Sequence, residues 1–204
     1  MVLDKTARQT LMERFRKEKA QVIWLYAPGA FYPDQGPSAA NIEQLLGLKF
    51  IMLDKKTALS MQMKIDTLGA GEVKNSIQTG PWFLPTSGYD ELLATTPDGK
   101  PAMVSWRRDN VKNYFAAVPN LPPAMFRTIA RQAGVWCYAD GSDPVYAGND
   151  FVAIHMKSGG KKSLNIPAGL KAKAVIGPLH GYFKSGQTWD VIPGLTYGFL
   201  LEKE

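Results

Sequence analysis

The sequence predicts an α/β chain: a layer built on a parallel sheet, followed by a small antiparallel β-sandwich-like module. Three observations lead there. The run Val22-Ile-Trp-Leu-Tyr26 is uniformly bulky and is stopped by Ala27-Pro-Gly29, the pattern of a strand buried on both faces of a mostly parallel sheet. A charged helix precedes this run and a loop and second helix come after it, the alternation that α/β chains show. Past Gly134, short apolar runs recur between turn signals at close, regular spacing, as in a small antiparallel sandwich. The expected boundary therefore lies at 134, with a partial α/β domain over 1–134 and a β-rich C-terminal module over 135–204.

Taken in order, Asp4 is placed to cap a helix reaching about Lys19. Leu3, Ala7, Leu11 and Phe15 fall on one stripe, with Arg8, Glu13, Lys17 and Glu18 on the others. After Val22–Tyr26, Ser38 is positioned as the N-cap of a helix whose core stripe is Ile42, Leu45 and Leu46, and Gly47 ends it. A helix followed at once by a central-type strand implies a domain entered partway, with its first βα units missing. On that reading Leu25→Asp would unfold the layer, because it buries an unpaired charge.

From Leu48 the period changes. Lys49–Leu53 and Ala58–Ile65 read as strands, while Thr67–Tyr89 reads as irregular and carries an exposed Pro81-Trp-Phe-Leu84. The Asp-Gly turn in Pro97–Pro101 separates strand-like runs, and Ala102–Trp106 and Asn113–Val118 return to sheet. Pro122 and Pro123 open a helix over Ala124–Ala133, where a fixed φ and a missing N–H cost little. Strands are then expected at Val135–Tyr138, Pro144–Tyr146, Phe151–Met156, Lys162–Ile166, Lys173–Ile176 and Tyr197–Glu202.

With 204 residues, 45% of them apolar and 21% charged, the chain has the balance of a folded domain. Its net charge of +6 is spread along the sequence, with small clusters at Lys161/Lys162 and Lys171/Lys173. No zinc-finger spacing or RGG tract accompanies it, so no nucleic-acid partner is expected. No apolar run approaches the ~18 residues of a membrane span, and the N-terminal residues lack a hydrophobic signal core, so neither a membrane partner nor a signal peptide is expected. The single cysteine, Cys137, reads as a small thiol buried in an apolar run.

Three stretches carry a resemblance: VIWLYAPG with SAANIEQLLGL, the DGKPAMV turn, and NYFAAVPNLPPAMFRTIARQAGVWCYADGSDPVYAGNDFVAIHMKSGGKKSLNIP. Together they resemble the C-terminal portion of β-galactosidase-type glycoside hydrolases. There a flavodoxin-like domain, related to glutamine amidotransferases, follows the catalytic barrel and precedes a β-rich tail. The resemblance implies a partial flavodoxin-like layer over 1–134. It also implies that the catalytic carboxylates of such enzymes lie on a barrel with no counterpart in this sequence, so no catalytic residue carries over. The chain is then a fragment, a natural short relative, or a domain completed by a partner chain.

Ligands of open α/β sheets sit beyond the carboxyl ends of the strands, which makes Ala27–Pro37 the expected rim. Stacking on sugar rings calls for exposed aromatics with polar neighbours. Tyr26, Phe31, Tyr32, Asp34 and Trp82 are the candidates here, whereas Trp24, Trp106 and Trp136 read as core. Glycoside hydrolysis needs two carboxyl groups roughly 5–10 Å apart, and Asp34, Asp90, Glu91, Asp109, Asp140, Asp143 and Asp150 are the loop acids on offer. His155 alternates onto the face of Phe151 and Ala153 and reads as a strand histidine satisfied by a neighbour, and His180 lies in a turn. No metal spacing, phosphate loop, dinucleotide fingerprint or nucleophile elbow occurs, so no cofactor or metal is expected. Two functions compete: a non-catalytic assembly or binding region of a β-galactosidase-like hydrolase, or a small glycoside hydrolase in its own right. A carbohydrate, a catalytic partner domain and a homo-oligomeric copy of the chain are the expected partners.

Overall fold

Asp4 starts the first helix as its spacing implies, its Oδ1 accepting from the Ala7 N–H at 2.8 Å. Helix α1 spans Lys5–Lys17 in the computed structural model, which describes residues 4–32, 35–64, 68 and 71–204. Strand β1 (Gln21–Leu25), helix α2 (Ala39–Leu46) and strand β2 (Lys49–Leu53) come next. Gly47 closes α2 in the left-handed region at φ +76°, and a Cβ there would lie 2.8 Å from Arg108 Nη1. Strands β3 (Ser60–Met63), β4 (Glu72–Lys74), β5 (Trp82–Ser87), β6 (Glu91–Thr95), β7 (Pro101–Arg108) and β8 (Val111–Ala116) lead to helix α3 (Pro123–Gln132). The remainder is β9 (Val145–Ala147), β10 (Phe151–His155), β11 (Gly160–Ser163), β12 (Leu170–Ile176), β13 (Tyr182–Phe183), β14 (Thr188–Val191) and β15 (Thr196–Lys203).

The chain divides into two units, Met1–Thr128 and Ile129–Glu204. In the first, six strands form one sheet in the order β1-β8-β7-β6-β3-β4, and β2 pairs antiparallel with β5. The sheet is mixed: β1 runs parallel to β8, and every other pairing in it is antiparallel. This corrects the expectation of a parallel sheet centred on Val22–Tyr26. Among the described strands β1 is an edge, paired on one side only, and its burial alternates instead of running unbroken. Val22 and Trp24 point into the core, and Trp24 Nε1 donates to Asn113 Oδ1 at 3.0 Å. An unbroken apolar run does not separate a doubly covered strand from an edge strand with one tolerant face, which is how the run misleads.

A second correction concerns Thr67–Tyr89. Instead of exposing Trp82, Phe83 and Leu84, this stretch buries them in β5 against β2. The Gly and Pro signals around them mark the turn at Gly80–Pro81, which has a cis peptide bond, and not a long loop. Phe50 and Phe115 meet edge to face at 4.9 Å, tying β2 to β8. Fully burying one such ring stabilises by about 1.5–3 kcal/mol.

In the second unit, β13-β12-β15-β10-β9 form an antiparallel sheet and β11 pairs with β14. Val152, Ile154, Tyr197, Phe199 and Leu201 on one sheet face share a core with Leu164, Ile166, Trp189 and Val191. Phe183, Trp189 and Phe199 interlock there with centroids 5.4–5.8 Å apart. The expected strand at Val135–Tyr138 is absent. That segment leaves α3 through Gly134 at φ +77° as irregular chain, and Trp136, expected in the core, is 50% exposed. Cys137, expected to be buried, is only partly covered, with its Sγ 3.8 Å from the Val135 carbonyl.

Candidate functional site

Helix α1 determines the shape of the rim. Arg8 is its one buried residue, although helical spacing places it away from the apolar stripe. Its Nη1 donates to the Asn41 carbonyl at 2.7 Å and its Nη2 to the Gly29 carbonyl at 2.6 Å. A guanidinium supplies several donors in a fixed fork, and here the fork clamps the loop after β1 to the start of α2. Asn41 Nδ2 and the Ser38 N–H both donate to the Ala30 carbonyl, closing the same loop from the other side. Gly29 is required at this point: its φ is +65°, and a Cβ would lie 2.8 Å from Leu45 and 3.2 Å from Arg8 Nη2.

The clamp separates the aromatic candidates into two groups. Tyr32 lies under Arg8, with the guanidinium 4.0 Å from its ring centroid, and its hydroxyl donates to Gln44 Oε1 at 2.6 Å. Tyr26 turns the other way. Its hydroxyl donates to the Pro81 carbonyl at 3.0 Å, its ring meets Trp82 edge to face at 5.5 Å, and burial raises its pKa. Trp82 is buried outright and offers no face to a ligand. Phe31 is exposed at the loop. Asp34 lies outside the described residues.

Beside Tyr32 a cleft of about 340 Å³ opens between α1, α2 and the end of β7. Lys5, Arg8, Arg16 and Arg108 line it against a single acid, Glu13, with Gln44 alongside. Arg108 Nη1 donates to the Leu45 carbonyl at 3.3 Å, and Arg16 Nε pairs with Asp109 Oδ2 at 2.8 Å. The cleft therefore favours anionic or hydroxyl-rich groups, not carboxylate-driven proton transfer. Arg8, Gln44 and Arg108 are not legible as site residues in the sequence, since nothing in their spacing distinguishes them from solvated charges. The one available signal is Arg8 sitting four residues before the apolar Met12 on a short helix.

Four of the loop acids, Asp90, Glu91, Asp140 and Asp143, are engaged elsewhere. Asp90 accepts from the Arg107 N–H at 2.8 Å, Glu91 from Ser105 Oγ at 3.1 Å, and Asp140 pairs with Arg131. Asp143 accepts from Lys162 Nζ and from the Lys157 N–H, both at 2.8 Å. Its burial opposes ionisation, but these donors prevail and hold its pKa below the usual carboxylate range. Glu43 is also lowered, by the Phe50 N–H first and Lys49 second. Asp98 is lowered to about 2 by Lys100 and Thr96. His155 Nδ1 lies 3.1 Å from Thr196 Oγ1, the neighbour its strand position calls for. Among the described residues no group of three or more His, Cys, Asp and Glu is placed to hold a metal ion. No described helix is long and apolar enough to cross a membrane.

No protein-family model matches the sequence, nor does any curated protein. Solved structures do match in fold. A β-galactosidase from Bacillus circulans sp. alkalophilus superposes with a TM-score of 0.65 at 12% identity, over 100% of this chain and 32% of that one. The cold-adapted β-galactosidase from Rahnella sp. R3 gives 0.62 at 13%, over 100% and 31%. A GH42 β-galactosidase from G. stearothermophilus gives 0.60 at 10%, again over 100% and 31%. In fold, then, the chain resembles the C-terminal portion of a β-galactosidase, as its motifs imply, and it spans about a third of the length of those enzymes.

Proposed function

We propose that this chain is a non-catalytic assembly or binding region of a β-galactosidase-like glycoside hydrolase. The observation that carries the reading is the likeness of fold over the whole chain to about a third of each β-galactosidase. Of the loop acids, Asp143 is held in its ionised form by Lys162 and the Lys157 N–H, the opposite of what the acid of a glycosidase needs. The basic cleft beside Tyr32 is suited to holding a ligand or a partner segment. In the same reading the β1/β8 pair and α2 after β1 are the part of residues 1–134 that accords with a partial flavodoxin-like layer, while the other pairings of that sheet are antiparallel. The edge of β1 left unpaired among the described strands favours assembly with a second copy of the chain or with a catalytic partner domain.

The test is a panel of chromogenic galactosides and glucosides incubated with the purified chain. The expected result is hydrolysis indistinguishable from buffer. Turnover of a galactoside well above background, lost in Asp34→Asn, would overturn the reading in favour of a small glycoside hydrolase.

A further inference from the structure

The β-rich unit holds a cleft of about 400 Å³ that the rim does not involve, within the ~300–1,000 Å³ usual for small-molecule sites. Trp136 forms one wall. Its Nε1 donates to the Asn165 carbonyl at 2.8 Å, so the indole is held by its edge while half of its surface stays open to solvent. The Asn165 amide in turn donates to the Cys137 carbonyl at 3.2 Å and lies 3.4 Å from Asp140 Oδ2. Each side of the cleft thus braces the other. The Val135 N–H donates to the Ala130 carbonyl at 2.9 Å, fixing the segment where it leaves α3. The other wall is polar: Arg131, Asn165 and Ser185, whose hydroxyl oxygen already accepts from the Ile166 N–H at 2.9 Å and keeps its proton to donate.

We infer that this cleft is a carbohydrate subsite that takes a neutral pyranose ring of an oligosaccharide, stacked on the Trp136 indole. The chemistry of the two walls selects that ligand. An apolar ligand would cover the indole but strip Arg131, Asn165 and Ser185 of water without replacing their hydrogen bonds, which is costly. An anion would meet a guanidinium already paired with Asp140. A pyranose presents an apolar C–H face to the indole and a rim of hydroxyls to the amide, hydroxyl and guanidinium groups, so both walls are satisfied together. The subsite deepens the binding role proposed above and rests on that reading only for its biological setting.

The tryptophan inventory provides the test. Of the five tryptophans, Trp24, Trp82, Trp106 and Trp189 are buried, so iodide quenching of fluorescence in the intact chain reports Trp136. Cellotriose or β-1,4-galactotriose at millimolar concentration is expected to cut the Stern–Volmer slope by more than half in a saturable way, while sorbitol does not. In Trp136→Ala the slope is expected to be low from the start and unresponsive to sugar. Labelling with 5-fluorotryptophan gives a second reading that needs no variant: of the ¹⁹F resonances, the Trp136 signal alone should move as the sugar is added. Absence of protection and of a ¹⁹F shift with both sugars, or an equal effect from sorbitol, would overturn the subsite. Galactoside turnover in the chromogenic panel would overturn the non-catalytic reading and leave the subsite intact, so the two failures are distinguishable.

Discussion

Arg8 shows how much a single side chain can carry. It is charged, buried, and spends its donors on the carbonyls of Gly29 and Asn41. Arg8→Met would leave the buried Gly29 carbonyl and the part-buried Asn41 carbonyl without that partner and is expected to lower stability by about 2–4 kcal/mol. Arg8→Lys should recover only part of this, because an ammonium cannot reproduce the fork; urea midpoints for the three proteins check both statements. Asp143 gives a pH-dependent counterpart. Its pKa is lowered in the folded chain, against about 3.9 when unfolded. It therefore adds stability that is fully present above the unfolded value and lost as pH falls through the folded one. Lys162→Met removes the main opposing cation, so the folded pKa moves back towards or past the unfolded value and this group's acid-side loss should shrink or change sign. Asp143→Asn should remove this group's share of the slope altogether. Thermal midpoints recorded between about pH 2 and pH 6 distinguish the three curves.

At the scale of elements, the legible parts are those set by local chemistry. Asp4, Gly47 and the Pro122-Pro123 pair bound their helices where capping and fixed φ require, and Lys49–Leu53 is a strand over the range expected. Pairing is the illegible part. Whether Val22–Tyr26 has one neighbour or two depends on β8, far along the chain, and no local period encodes that. Residues 82–84 mislead for a related reason, since Gly80 and Pro81 describe a turn without specifying the strand on its far side. The energetics accord with the observed edge. Trp24 fills the core and holds Asn113, so Trp24→Ala is expected to cost about 3–5 kcal/mol. Leu25 is only half-buried on the opposite face, so Leu25→Asp should cost less than Trp24→Ala instead of unfolding the layer. Paired urea titrations decide which residue matters more.

At the scale of the whole molecule, the site is legible in the sequence only in outline. The rim after β1 can be located there, but the clamp that shapes it and the exposure of Trp136 depend on contacts between distant segments. The same long-range accounting bears on assembly. Among the described strands β1 leaves one edge unpaired, and β2, at the edge of its own ladder, exposes Ile51 and Met52. An unpaired edge next to exposed large apolar side chains invites another chain, because backbone pairing and apolar burial are gained together. We therefore expect the 1–66 region to mediate self-association into a dimer or trimer. Sedimentation equilibrium at micromolar concentration should return more than the 22.5 kDa of one chain. Ile51→Lys with Met52→Lys should shift the equilibrium to monomer, since two ammonium groups facing their symmetry mates repel and resist desolvation. Both side chains are exposed in the single chain, so the double variant should keep its thermal midpoint at low concentration. A monomeric parent chain, or a double variant that stays associated, would rule out this surface as the interface.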